Sequence, residues 1–253
     1  PADHAARDKD LLARAAALAG ARAALVVDLG AGTGSTLRAM APQIRDPQAW
    51  RLIDADPVLL AEARRLAPRG IRVETVQRDL ADVAALPLDD ASLVTASALF
   101  DLVSDRWLAA FAARIGALGV PLYAALTFDG LTRWLPEHPC DADLSAALNR
   151  HQRTDKGLGP ALGPDAAPRL AELMRREGYA VFQAESPWIL GAREARLQSE
   201  LAEGYARAAR DLGTLPEPQI ADWLAFRRRE AVTGAAEIGH LDLLAVPTGL
   251  RGR

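Results

Sequence analysis

The chain has 253 residues, 50% hydrophobic and 25% charged, a globular composition that excludes wholesale disorder. A net charge of −3 and a sequence pI near 5.9 argue against chain-wide affinity for nucleic acid or anionic lipid. Cys140 is the one cysteine, which excludes an intrachain disulfide and a cysteine-built zinc site; no metal is expected. Lys9 and Lys156 are the only lysines, and with heavy alanine use this codon signature points to a bacterial source.

Pro1 to Gly20 carries Arg7, Asp8, Lys9, Asp10 and Arg14 on a helical pattern and lacks the apolar centre of an export signal. Later apolar runs are too short to span a bilayer. A cytoplasmic protein without a membrane partner is the expectation. Leu25–Leu29 predicts a buried strand, followed by a helix from Gly34 or Ser35 to near Pro42. Trp50–Asp54 predicts a second strand, and Pro57 opens a helix through Leu66 that Pro68 and Gly70 end. Further strands are predicted over Ile71–Val76, Ser92–Ala96 and Val120–Thr127, with a helix over Asp105–Ile115. This rhythm means parallel strands joined by crossover helices.

The rhythm breaks at Phe128. Residues 129–164, punctuated by proline and glycine, predict a cap inserted after strand five, with one short helix near Asp143–His151. A helix over Asp165–Arg176, closed by Gly178, and a strand over Tyr179–Glu185 follow. Leu197, Leu201, Tyr205, Ala208 and Leu212 mark one helix face, with Glu203 and Arg207 as an i,i+4 pair. A second helix over Glu217–Ala231 completes a helical insertion at 193–235. Gly239–Val246 predicts the last strand, and Pro247–Arg253 a tail. No linker divides the chain, so residues 1–253 read as one domain.

The segment Val26-Val27-Asp28-Leu29-Gly30-Ala31-Gly32-Thr33-Gly34 carries the chemistry. A strand delivers the chain to glycines that permit close backbone approach, and a helix N-terminus follows. Asp28 ends strand one, Asp54 ends strand two where it can accept from ribose hydroxyls, and Asp79 follows strand three where it can meet an adenine amine. A carboxylate at 28 disfavours a pyrophosphate and suits an ammonium group.

This stretch resembles the glycine-rich loop of class I S-adenosylmethionine-dependent methyltransferases, with a match extending through about 85 residues of the chain. Leu52-Ile53-Asp54-Ala55-Asp56-Pro57 resembles their second-strand motif, Arg78-Asp79-Leu80 their adenine-contacting turn, and Leu93 to Val103 the segment lining methionine and acceptor. The resemblance implies a Rossmann-like three-layer α/β sandwich whose mostly parallel, seven-stranded sheet has the order 3-2-1-4-5-7-6. It implies S-adenosyl-L-methionine as cofactor and S-adenosyl-L-homocysteine as product. Asp28, Gly30, Ala31, Gly32, Gly34, Asp54, Ala55, Asp79, Leu80, Ser97 and Ala98 are the implied cofactor residues. Arg7 is a candidate for the methionine carboxylate, with a solvated helix arginine as the alternative. Asp56 suits a helix cap.

The sequence departs from the family pattern at Ala98 and Leu102, which stand where polar residues are common and offer no acid or base. His138 and His151 are the candidate bases. Trp134, Arg150 and His151 are the candidate acceptor contacts, with a small molecule, an anionic one included, as the expected acceptor. His240 reads as structural, and Arg227-Arg228-Arg229 as a solvated helix face. A non-catalytic S-adenosylmethionine-binding sensor is the main alternative, and an NAD(P)-dependent oxidoreductase a weaker one. A nucleic-acid acceptor is not expected. Monomer and homodimer, the latter through the 193–231 helices, both stay open.

Overall fold

Strands that are apolar on both faces need cover on both faces, and this chain supplies it. A computed structural model describes residues 2–20, 24–45 and 47–249; Pro1 and the last residues of the expected tail, 250–253, lie outside the described residues. β1 (Ala24–Leu29), β2 (Gln48–Asp54), β3 (Arg72–Gln77), β4 (Leu93–Ser97) and β5 (Leu122–Leu135) pair in parallel. β8 (Ala235–Pro247) runs antiparallel between β5 and β6 (Tyr179–Glu185), giving the order β3-β2-β1-β4-β5-β8-β6. A short β7 (Trp188–Leu190) pairs with the outer part of β8. The sheet therefore has eight strands rather than the expected seven. The additional strand lies off the main path, so the methyltransferase-like order holds.

α2 (Lys9–Gly20), α3 (Ser35–Met40) and α4 (Pro57–Leu66) cover one sheet face around Leu37, Met40, Trp50 and Tyr123. α5 (Asp105–Leu118) and α7 (Ala166–Arg176) cover the other around Phe100, Phe111, Ile115 and Leu170. The N-terminal helical pattern divides in two, α1 (Ala2–Ala6) and α2. Asp8 causes the break: its Oδ1 accepts the Leu11 N–H at 2.8 Å and caps α2. Its own N–H donates to Asp242 Oδ2 at 3.0 Å. The corner turns Arg7 inward.

Beyond the sheet, α6 (Asp141–Gln152), α8 (Ala195–Leu212) and α9 (Glu217–Glu230) pack together as a lobe. Its base is a ribbon of the outer parts of β5 and β8, edged by β7, that the sequence pattern concealed. β5 does not stop at Thr127 but bulges and continues to Leu135, and β8 starts at Ala235 rather than Gly239. Leu131, Arg133 and Leu135 are exposed while Trp134 is buried, the alternation of a strand covered on one side. Across the ribbon, Arg133 Nη1 meets Glu237 Oε2 at 3.2 Å.

Charges in the lobe pair differently from the sequence pattern. Glu203 joins Arg228 of α9 at 2.8 Å, an interhelical bridge in place of the expected i,i+4 pair. Arg227 is not part of a solvated face but is buried, its Nη2 2.5 Å and 2.6 Å from the two Asp141 oxygens. Among the described residues no helix is long and apolar enough to cross a membrane, and no group of three His, Cys, Asp or Glu side chains is placed to hold a metal ion.

Candidate cofactor and acceptor site

The site begins where β1 ends. Val26 and Asp28 face α2 and α3, Val27 and Leu29 face α5, and all four are buried. The chain then turns on three left-handed glycines, Gly30 (φ 61°), Gly32 (φ 52°) and Gly34 (φ 79°). Ala31 N–H donates to the Ile53 carbonyl at 3.0 Å and Gly34 N–H to the Ala31 carbonyl at 2.8 Å, which ties the turn to β2. A Cβ on Gly32 would have no protein atom within 4 Å, so this peptide faces open space. A Cβ on Gly34 would lie 3.3 Å from Ala63 Cβ, so Gly34 lets α3 pack on α4. Gly34→Ala is expected to cost about 1–2 kcal/mol from the left-handed backbone alone, read from the urea midpoint.

The acids take the positions expected from their strands. Asp54 Oδ2 accepts Gly32 N–H at 2.8 Å and its Oδ1 accepts Asp56 N–H at 2.9 Å. The carboxylate thus braces the glycine turn, and each oxygen keeps a lone pair for a hydroxyl donor. Asp56 caps α4, accepting the Val58 N–H at 2.7 Å. Asp79 is exposed and accepts the Ala81 N–H at 2.8 Å, forming a local turn. Leu80 is buried; with Leu99 it lies against Gly30, their methyl carbons 4.0 Å and 3.5 Å from a Cβ placed there. Ala55 is exposed beside Asp54.

Just after β4, Ala98 (φ 50°), and at the bulge within β5, Leu126 (φ 54°), occupy a conformation that side chains disfavour. Ala98 N–H donates to the Ala125 carbonyl at 3.0 Å, and Leu126 N–H to Asp242 Oδ1 at 2.9 Å. The anchored backbone leaves Ala98 exposed next to half-buried Ser97.

Arg7 and Asp28 form the polar centre. Arg7 is not a solvated helix residue: it is 2% exposed, and its Nη2 donates to Ser97 Oγ at 3.0 Å and Thr36 Oγ1 at 3.3 Å. Its Nε and Nη1 are buried without a hydrogen-bond partner. Asp28 Oδ1 accepts from Thr95 Oγ1 at 2.7 Å, while Oδ2 is buried and unpartnered. Burial pushes the Asp28 carboxyl up to about 7, against the opposing pull of the Thr95 hydroxyl and the Arg7 charge. Below them, Tyr123 OH donates to Asp242 Oδ2 at 2.8 Å. Beside the glycine turn the fold therefore places an acid and a guanidinium with unused hydrogen-bonding capacity, which suits a zwitterion.

Sequence reasoning passed over Asp101, which lies three residues beyond Ala98. It is 5% exposed, its Oδ1 is unpartnered, and burial pushes its carboxyl up to about 6 despite hydrogen bonding from its own and the Phe128 backbone. The available signal is one acid inside the apolar run Leu99-Phe100-Asp101-Leu102-Val103.

The proposed acceptor contacts lie in the lobe rather than at the glycine turn. Trp134 sits 3% exposed in the lobe core, edge-on to Tyr205 at 5.7 Å and Trp223 at 5.9 Å, because the β5 extension points it at α8 and α9. His138 lies over Phe226, with its Nε2 3.3 Å from Asp222 of α9. His151 is 3.2 Å from Lys156 Nζ and 3.4 Å from Asp211. Arg150 is exposed on the last turn of α6. Trp134 and His138 line one cavity of the lobe, of about 650 Å³.

A family model described as a methyltransferase domain matches residues 26–119, the stretch from β1 through α5. No curated protein matches the chain. Among solved structures, a putative methyltransferase from Bacillus halodurans is 15% identical, with 94% of this chain and 99% of that one covered at a TM-score of 0.53. The YcgJ protein from Bacillus subtilis is also 15% identical, with coverages of 96% and 100% and a TM-score of 0.52. The cyclopropane synthase MmaA2 from Mycobacterium tuberculosis is 11% identical, with coverages of 92% and 82% and a TM-score of 0.51. At such identities the likeness is one of fold. Residues 26–119 thus match a methyltransferase domain, and the strand order that carries them is that of the class I, Rossmann-like methyltransferase fold.

Proposed function

We propose that this protein binds S-adenosyl-L-methionine along the glycine turn and transfers its methyl group by in-line displacement to a small-molecule acceptor held between the turn and the lobe. The observation that carries this reading is the pair of buried, incompletely satisfied groups beside the turn, Asp28 Oδ2 and the Arg7 guanidinium. They match the ammonium and carboxylate of the methionyl end. Asp54 accepts from the ribose hydroxyls, Leu80 and Leu99 pack on the adenine, and Asp79 accepts from its amine. The remaining residues, Gly30, Ala31, Gly32, Gly34, Ala55, Ser97 and Ala98, shape the wall.

When bound, the sulfonium supplies an electrophilic methyl group, so the hard chemistry belongs to the cofactor. The chain's part is to orient the acceptor and exclude water. Alignment of this kind supplies on the order of 7–11 kcal/mol in favourable cases. Ala98 offers no functional group at the end of β4, which leaves the methyl's surroundings free of a competing nucleophile.

Calorimetric titration with S-adenosyl-L-homocysteine, with NAD and NADP alongside, tests the reading. Tight binding of the adenosyl ligand is expected, and Asp54→Ala is expected to weaken it by about tenfold or more through loss of charge-assisted hydrogen bonds. Preference for a dinucleotide, or no adenosyl binding, overturns it. Methyl release to candidate acceptors then separates an enzyme from a binding-only protein.

A further inference from the structure

A second set of unmet polar groups lies on β8 and the turn that precedes β7. His240 is 7% exposed and its Nδ1 has no hydrogen-bond partner. Ser186 is fully buried; its N–H donates to the His240 carbonyl at 2.8 Å, while its Oγ is unpartnered. Trp188 lies 5.1 Å from the His240 ring, centroid to centroid, and its buried Nε1 is also unpartnered. Each such buried group left unsatisfied costs about 1–3 kcal/mol. Three on touching residues point to a place built for a polar ligand.

The surroundings define that ligand. Phe128, opposite His240 across the ribbon, closes one wall at 6.2 Å. Gly239 admits the Asp129 carboxylate, which would lie 2.2 Å from a Cβ at that position. The charges felt by the imidazole are Asp129 from β5, Asp3 from α1 and Asp242 from β8, all acidic. Burial outweighs them, and the hydrogen bond with the Ile238 backbone as well, and pushes the imidazole down from its ordinary value, which favours the neutral ring. α1 packs on β7 and on α3, and Ser35 Oγ lies 3.5 Å from Asp3 Oδ2, so this roof also reaches the glycine turn. Alongside, a crevice of about 220 Å³ lies between Ala2, Ala5 and Ala6 of α1 and Pro187, Ile189 and Glu194.

We propose that His240, Ser186 and Trp188, walled by Phe128 and roofed by α1, form the subsite for the acceptor's reacting hydroxyl or amine, with His240 Nδ1 receiving its proton. This rests on the methyl-transfer reading. The acceptor's oxygen or nitrogen lone pair forms the new bond to the methyl carbon. The carbon–sulfur bond breaks with its electron pair remaining on sulfur, and the acceptor's proton passes to Nδ1. Ser186 Oγ and Trp188 Nε1 hydrogen-bond the acceptor and hold it for attack. The three acidic neighbours Asp129, Asp3 and Asp242 select a neutral or cationic acceptor over an anion.

The test uses protein saturated with S-adenosyl-L-homocysteine and three probes, benzyl alcohol, benzylamine and benzoate. Ligand-observed saturation-transfer NMR reads binding, and ¹⁵N shifts read the imidazole, His240 being assigned by its loss in His240→Gln. The alcohol and amine are expected to bind and move the His240 nitrogens, and benzoate is not. His240→Gln and Ser186→Ala are each expected to weaken the alcohol about fivefold or more with homocysteine-adenosyl affinity unchanged. Ser186→Ala removes only an unpartnered hydroxyl and tests the subsite even if His240→Gln does not fold. Probe binding indifferent to both variants, preference for benzoate, or no probe binding at intact adenosyl affinity overturns the subsite. Loss of adenosyl binding in the unaltered protein instead overturns the underlying methyl-transfer reading.

Discussion

Asp28→Asn is expected to make the ligand-free protein more stable at pH 8 while weakening S-adenosyl-L-homocysteine by about 10- to 100-fold. The two effects share one cause. The Asp28 carboxyl is raised from 3.8 to about 7 in the fold, chiefly by burial. Between those two values the folded state holds a proton that the unfolded state has released, so stability falls as pH rises through the window. Above pH 7 the full penalty of a buried charge applies, on the order of 2–4 kcal/mol. Asparagine has the same shape and no charge, so the variant should lose this slope; Asp101, raised to about 6, leaves a smaller one of the same sign. Denaturant midpoints at pH 5, 6, 7 and 8 measure it.

Binding has the opposite pH dependence. An ammonium group needs the ionised Asp28, so affinity in the unaltered protein should rise with pH up to about 7, with proton release below it. Titration in two buffers of different ionisation enthalpy reads that proton. Equal affinity in Asp28→Asn, or no proton release at pH 6, would show that Asp28 does not meet the ligand. A carboxylate that destabilises the free protein is most simply accounted for by a bound cation.

Asp141→Ala is the largest purely structural effect expected, about 3–5 kcal/mol of lost stability. Its two oxygens take four hydrogen bonds from three donors: Arg227 Nη2 on both, Trp223 Nε1 at 2.7 Å on Oδ1, and His138 N–H at 2.8 Å on Oδ2. This one side chain joins the end of β5, the start of α6 and the inner face of α9. Its removal leaves the Arg227 guanidinium buried among Trp134, Trp223 and Phe226 with only the Pro136 carbonyl at 2.7 Å. Asp141→Asn keeps the shape and some of the bonds and should lose less. Urea melts with tryptophan fluorescence distinguish them, since Trp134 and Trp223 both sit in this core. Equal stability in Asp141→Ala would mean that the lobe's apolar contacts alone hold α9.

The parallel half of the fold was legible because its signals are local. Pro57 after Asp56 starts α4 where expected, and Pro57–Leu66 is also its observed span. Tyr179–Glu185 likewise keeps its expected bounds. The ribbon was hidden because Asp129, Gly130 and Arg133 read as loop residues. Gly130 (φ 89°) is required by Pro164, which a Cβ there would approach to 2.9 Å, a tertiary constraint with no local trace. Trp134 reads as an acceptor contact for the same reason: once the segment is a strand, its parity sends the ring into the lobe.

The sequence by itself determined the class of the fold, the glycine turn and the strand ends that present Asp28, Asp54 and Asp79, because strand periodicity, positive-φ glycines and proline-started helices act over a few residues. Only the tertiary structure decided which charges are buried. Arg7 and Arg227 look alike in a helical pattern, yet the Asp8 corner turns one toward Asp28 and the ribbon encloses the other against Asp141. Likewise His240 joins Ser186 and Trp188, more than fifty residues earlier, only because β8 is threaded between β5 and β6. Burial and proximity between distant segments set the protonation and the unmet hydrogen bonds that make a site, and neither is a property of local sequence.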